Sequence, residues 1–428
     1  MSVDVAETRP AKPRRLGGPL QRRTLLVLAA GTILSGFGIG ASLSVGALLL
    51  AEVSGNDAIS GLASTTFSVG AAVAGIPLAR LASARGRRPA LVVGNLVALL
   101  GSLVAILSTV VDLWWLLAIG IAMIGVASAV QLLSRFAAAD LALPEKRARD
   151  LSLVVWSITV GAVAGPLLIG PGEVVGVAIG ITPLAGVFVF AFAAQILATL
   201  ANWAGLRPDP LLTARAIVAT QGDAGGVAVI TGEGTALDAA SPTRRRALML
   251  TIFVIAMAQA IMVGLMAMTP LHLMHHDGTA GLVGVTLSLH IAGMYALSPV
   301  FGALASRFGC VPVIVLGWVV LLVAIVLAYL SGPSHGMVQV SLTLVGVGWG
   351  AVTVAGAALL TELTVAADRT RWQGRSDTIM SAAGAVAGGL SGLGFAFGDF
   401  SFLALMAGVL LAFGAVASIW LGLHSRRA

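Results

Sequence analysis

Charge is scarce in this chain. Only 10% of its 428 residues are Asp, Glu, Lys or Arg, where a soluble domain carries about a quarter. With 58% hydrophobic residues and a mean hydropathy of +1.00, a soluble fold could not cover its surface with polar groups, which excludes a soluble enzyme. The same apolar content excludes disorder for most of the chain. Cysteine is nearly absent: Cys310 alone excludes an intramolecular disulfide framework and a cysteine-rich metal centre. No Gly-Lys-Ser/Thr phosphate loop, no paired catalytic carboxylates and no nucleophile-base constellation occur. An ATP-driven pump and an intrinsic membrane enzyme are therefore disfavoured, and no cofactor is expected.

What is abundant is long apolar runs. A bilayer-spanning helix needs roughly 20 predominantly apolar residues, and twelve such stretches follow one another. They lie near 24–50, 58–81, 89–110, 113–136, 152–171, 182–204, 247–270, 281–304, 311–331, 337–361, 378–398 and 401–423. Lipid cannot satisfy an open strand edge, so the expected fold is all-α. The 53 glycines fit this reading, because small residues let membrane helices approach closely.

The few charges orient the chain. With the N-terminus in the cytoplasm, all 25 Lys and Arg fall on cytoplasmic segments or cytoplasmic span ends. Six of the 18 acids fall outside: Glu52, Asp57, Asp112, Glu173, Asp277 and Asp399. This is the positive-inside pattern, and it accounts for the basic pI without nucleic acid. The polar, basic first 23 residues lead into a run long enough to span, which reads as a retained anchor helix rather than a cleaved signal. The expected organisation is a cytoplasmic tail 1–23, a six-helix half 24–205, a flexible cytoplasmic linker 206–246, a second half 247–423 and a tail 424–428. Both termini are cytoplasmic in this reading, and the membrane is the bacterial inner membrane.

The halves repeat at one offset, 223 residues. Arg22-Arg23 returns as Arg245-Arg246, Leu81-Ala82-Ser83 as Leu304-Ala305-Ser306, and Gly86 as Gly309. Gly161-Ala162-Val163-Ala164-Gly165 returns as Gly384-Ala385-Val386-Ala387-Gly388. Two parallel halves of six spans point to a secondary transporter with its substrate site between them near the midplane.

Here the chain resembles the major facilitator superfamily over nearly its whole length. That family's loop between its second and third helices reads Gly-x-x-x-Asp-Arg-x-Gly-Arg-Arg. Ser83, Arg85, Gly86, Arg87 and Arg88 lie in the first copy, and Gly302, Ser306, Arg307 and Gly309 in the second. The acidic position is Ser83 in one and Ser306 in the other. Gly161-x-x-x-Gly165-Pro166-x-x-x-Gly170 is similar to the glycine-proline motif of drug/proton antiporters, with Ile169 where a second glycine is usual. Generic close helix packing is the other reading of that motif. The wider run Leu151 to Gly172, with Ser288 to Tyr295 and Ser376-Asp377, looks like an uncharacterised, actinobacterial branch. The resemblance implies alternating access, and the leading function expected is proton-driven export of a small lipophilic compound by a monomer. The alternatives are a facilitator or importer of a metabolite or divalent metal, and a transport-inactive membrane partner or sensor.

Ionisable groups within spans are functional candidates by default. His290, near the middle of span 8, is read either as a proton-coupling residue or as a neutral imidazole bonded to a neighbouring helix. In this family spans 1, 4, 7 and 10 line the cavity, which implies cavity roles for Gln131, Arg135, Gln259, Trp349, Thr353 and Glu362. Helix packing is the alternative for each. Family geometry further implies that Asp377 meets Arg85 or Arg87 and that Asp150 meets Arg307, replacing the missing loop acids, with ordinary helix capping as the alternative. His272, His275 and His276 end span 7. Their spacing suits a divalent metal, although a polar outer rim beside packed methionines is preferred.

Overall fold

The computed structural model describes residues 18–143, 147–222, 242–364 and 369–425. Among them no strand forms, because a helix satisfies every backbone N–H and C=O within its own segment. Ten helices are long and apolar enough to cross a membrane, and a bent pair adds an eleventh crossing. In chain order these are α1 (Gly18–Ser54), α2 (Asp57–Arg85), α3 (Arg87–Val110) and α4 (Trp114–Asp140). The bent pair is α5, Leu153–Leu167 and Ile169–Ile179, with 53° between its limbs. Pro166 lies just before the break, where a missing N–H and a ring against the preceding turn favour bending. There follow α6 (Val187–Gly205), α7 (Thr243–His275), α8 (Ala280–Phe308), α9 (Cys310–Leu330) and α10 (His335–Glu362). The final run, Trp372–Gly422, leaves helical geometry at Gly398 and Asp399. Its two limbs, α11 and α12, complete twelve crossings.

The internal repeat survives in the packing. The first helix of each half packs on the fifth, and the third on the fourth. The repeated glycines make the same turn: Gly86 has φ +97° and Gly309 φ +91°, a region in which a side chain is strained. Each donates its N–H to the carbonyl four residues back, Ala82 and Ala305, at 2.9 Å in both cases.

The linker departs from expectation at its start. Pro210–Gly222 is helical rather than flexible, and it is docked. Asp209 caps it, accepting from Leu211 and Leu212 N–H at 3.0 and 3.1 Å. Its Arg215 donates to the Ser83 carbonyl at 3.0 Å. Residues 223–241 of the linker lie outside the described residues, and 242–246 are already helical at the start of the helix that runs to His275.

Candidate functional site

The two ends of the bundle differ. At the end that carries Asp57, Asp277 and Asp399, the halves are joined. Gly61 of α2 packs against Gly388 and Gly392 of α11, and Thr65 Oγ1 donates to the Ala385 carbonyl at 2.7 Å. Gly284 of α8 meets the Pro166 carbonyl, and Ser288 Oγ donates to the Val163 carbonyl at 2.7 Å. Ser60 Oγ reaches Met268 Sδ at 3.4 Å. At the basic end, by contrast, Ile76, Ala79, Arg80, Ser83 and Ala84 of α2 line an open hollow, and Ile76 is 65% exposed. The contacts described between the halves thus gather at the acidic end.

Close approach of α1 and α5 is what the glycine-proline motif accomplishes in this fold. A Cβ on Gly161 would lie 3.0 Å from Gly36 Cα, and one on Gly165 would lie 2.8 Å from Gly40 Cα. Two bare faces with four-residue spacing therefore meet. Gly170 has nothing within 4 Å of such an atom, so it takes no part in that contact.

Three side chains of the second half come together on α7, α8 and α10. Trp349 Nε1 donates to Gln259 Oε1 at 2.7 Å. Tyr295 stands edge-on to Trp349, with ring centroids 5.9 Å apart, a favoured aromatic geometry. Gly384 of α11 leaves room for Gln259, since a Cβ there would be 3.2 Å from Nε2. Across from this group, the half-buried Arg135 of α4 acts electrostatically on both Tyr295 and Asp377. Tyr295 belongs to the group although no cavity role had been assigned to it. Its one available signal is scarcity, as the chain has two tyrosines.

The other cavity candidates are placed differently. Gln131 is buried and points Nε2 to the Thr32 carbonyl of α1 at 3.5 Å. Thr353, one turn beyond Trp349, has a buried hydroxyl with no partner. Glu362 is held at the start of α9, where Cys310 Sγ approaches Oε1 at 3.5 Å. His290 is fully buried, and its Nδ1 lies 2.7 Å from the Leu342 carbonyl of α10. A carbonyl only accepts, so Nδ1 carries the proton. Nε2 is left as a buried lone pair without a partner.

The expected gate pairs do not form as stated. Arg87 binds Asp140 at the end of α4, with Nε 2.8 Å from Oδ2 and Nη2 3.2 Å from Oδ1; it does not pair with Asp377. Asp150 accepts from Gln21 Nε2 at 2.7 Å, whereas Arg307 lies 5.3 Å from the ring of its neighbour Phe308. The acid missing at Ser83 is supplied by the fold instead. Besides Asp140, Asp209 accepts the Arg88 backbone N–H at 2.8 Å, and its carboxylate fills the space a Cβ on Gly86 would need. Arg88 Nε is spent on the Trp203 carbonyl at 2.8 Å. Ser83 and Ser306 bond back to their own helices, at Ala79 and Gly302, and Arg85 is exposed.

The three histidines separate. His275 Nε2 faces Asp57 Oδ2 across the halves at 3.3 Å. His272 and His276 gather with Asp399 of the α11–α12 break.

Comparison with known proteins agrees with this architecture. The family described as Major Facilitator Superfamily matches residues 28–277 and 248–428. The chain is 34% identical over 392 residues to the uncharacterized MFS-type transporter YdeG of Bacillus subtilis, covering 91% of this chain and 90% of that one. It is 24% identical over 360 residues to the riboflavin transporter RfnT of Brucella anthropi, covering 84% and 85%. A crystal structure of a bacterial homologue of the human lysosomal transporter Spinster, inward-facing and unoccupied, superposes with a TM-score of 0.70 at 18% identity, over 96% of this chain and 98% of that one. Family matches along both halves and a relative of this identity leave one conclusion: the chain is a multi-pass membrane transporter, not an enzyme, and belongs to the major facilitator superfamily.

Proposed function

We propose that the protein exports a small lipophilic compound in exchange for protons, with its basic end in the cytoplasm of a bacterial cell. The observation that carries this reading is Arg135 of the first half acting electrostatically on Tyr295 and Asp377 of the second, beside the Trp349–Gln259 pair. An amphipathic solute entering from the cytoplasm would meet the Tyr295–Trp349 aromatic edge and the amide of Gln259. Rocking of the halves would then part the small-residue contacts at the acidic end and release it outside. Proton coupling is assigned to His290 through Nε2, whose lone pair is otherwise unused.

The test is proton movement in energised inverted vesicles. A panel of lipophilic cations, antibiotics and neutral metabolites is added while a dye follows internal pH. The reading requires substrate-specific loss of the gradient that empty vesicles lack and that His290→Gln abolishes. Substrate uptake without proton movement would overturn the coupling. It would favour a facilitator of metabolites instead, a reading to which the likeness to a riboflavin transporter and the edge-on Tyr295–Trp349 pair lend weight.

A further inference from the structure

We infer that His272, His276 and Asp399 form a binding site for a divalent metal of the zinc class at the acidic end of the second half. His272 Nε2 lies 3.1 Å from the Gly332 carbonyl in the α9–α10 turn. The carbonyl can only accept, so Nε2 is the protonated nitrogen and Nδ1 presents a lone pair. That Nδ1 is buried and has no hydrogen-bond partner, in a residue only 3% exposed. Yet it faces Asp399 Oδ1 at 3.5 Å. In the neutral ring two acceptors are thus set face to face, a repulsion relieved by a cation between them or by a proton on Nδ1.

His276 is fixed in the same manner. Its Nδ1 lies 2.9 Å from the His272 carbonyl, which leaves Nε2 as its free lone pair. An imidazole that donates one N–H to a backbone carbonyl and offers the other nitrogen is the usual arrangement of a metal-ligating histidine. One ring nitrogen of each histidine and a carboxylate oxygen of Asp399 lie within 4.8 Å of one another. In a tetrahedral zinc site, with bonds of about 2.0–2.2 Å, they would lie about 3.4 Å apart. Modest side-chain rotation closes the difference, most easily at Asp399, whose side chain is 57% exposed. Water from the acidic end takes the fourth position.

The surroundings favour an ion. The His272 ring stacks on Phe400 at 4.6 Å and meets Phe395 edge-on at 6.5 Å. These apolar walls lower the local dielectric and strengthen attraction between ion and ligands. The neighbouring histidines are otherwise engaged. His275 faces Asp57, and His335 Nε2 lies 2.7 Å from the His276 carbonyl. A bound ion ties the end of α7 to the α11–α12 break, one residue from the His275–Asp57 contact between the halves.

The experiment is zinc titration of the full-length protein in lipid nanodiscs after chelator stripping, followed by calorimetry and metal analysis. One equivalent is expected to bind. His276→Gln and Asp399→Asn act on partly or largely exposed side chains and leave the fold intact. Each should weaken binding by more than the roughly 10–100-fold that loss of an outer-shell partner costs. His275→Gln and His335→Gln should retain the parent affinity. Three results would overturn the site: no stoichiometric binding, equal weakening by His275→Gln, or a nitrogen NMR spectrum showing His272 as an imidazolium when zinc is present. The last would mean that a proton, not a metal, lies between His272 and Asp399.

Discussion

Alanine placed at two glycines of one motif should have opposite effects. Gly165 and Gly170 are indistinguishable by residue type, but Gly165 faces the backbone of α1 and Gly170 faces nothing within 4 Å. In Gly165→Ala the new carbon lies 2.8 Å from Gly40 Cα and 3.2 Å from the Phe37 carbonyl oxygen. Carbon atoms prefer about 3.5–4.0 Å, so α1 and α5 must part by nearly 1 Å. No rotamer relieves the contact, because what is struck is main chain. Overpacking of this kind costs about 1–3 kcal/mol. Gly170→Ala should be neutral or gain up to about 1 kcal/mol from helix propensity. Unfolding in mixed micelles, followed by tryptophan fluorescence, gives both values. Gly40→Ala strikes the same contact from the other side, so Gly40→Ala with Gly165→Ala should cost less than the sum of the single changes. Equal stability of the parent and Gly165→Ala, or strict additivity of the pair, would refute close packing as the role of Gly165.

Three further outcomes are expected. Thr65→Val and Ser288→Ala each remove a hydrogen bond between the halves, worth about 0.5–1.5 kcal/mol. Labelling of Ser60→Cys, a buried acidic-end position and the sole thiol in a Cys310→Ser background, should therefore rise several-fold. Asp140→Asn removes the carboxylate from a two-point contact in which the Arg87 and Asp140 side chains are 16% and 11% exposed. It should cost about 1–3 kcal/mol and speed proteolysis near the α2–α3 turn, whereas Asp377→Asn should leave that turn unchanged. Trp349→Phe keeps the ring but frees Gln259 Oε1; the half-saturating substrate concentration should rise about five- to tenfold, for about 1 kcal/mol of lost positioning.

Spans and repeat were legible because they rest on properties that local sequence carries. A run of about 20 apolar residues can do little but cross the bilayer, and a turn at φ near +90° needs glycine wherever it recurs. The partners of charges were not legible. Arg87 had several acids within conceivable reach, and only the packing of α3 on α4 selects Asp140 over Asp377. Asp209 read as part of a polar linker, since nothing in Arg-Pro-Asp-Pro announces that its carboxylate caps both a following helix and the Arg88 amide at the start of α3. Trp349 and Gln259 were each singled out from their spans, but their contact depends on the rotation of two helices about their axes. His272 and His276 were visible as a spacing of four, whereas Asp399 joins them from a break in a run that reads as two ordinary spans.

The docking of the linker helix has a mechanical consequence. Asp209 and Arg215 grip the α2–α3 turn from beyond the end of α6, so the chain's exit from the first half is buckled to an early corner of the same half. Among the described residues, a Cβ on Gly309 at the matching corner would have only Pro312 within 4 Å, at 3.9 Å. The first half is thus braced at that corner by the linker helix, a brace that the described residues of the second half do not repeat. Equivalent corners of a duplicated chain have thus come to be held differently, one by a segment from outside the repeat and one by its own helices.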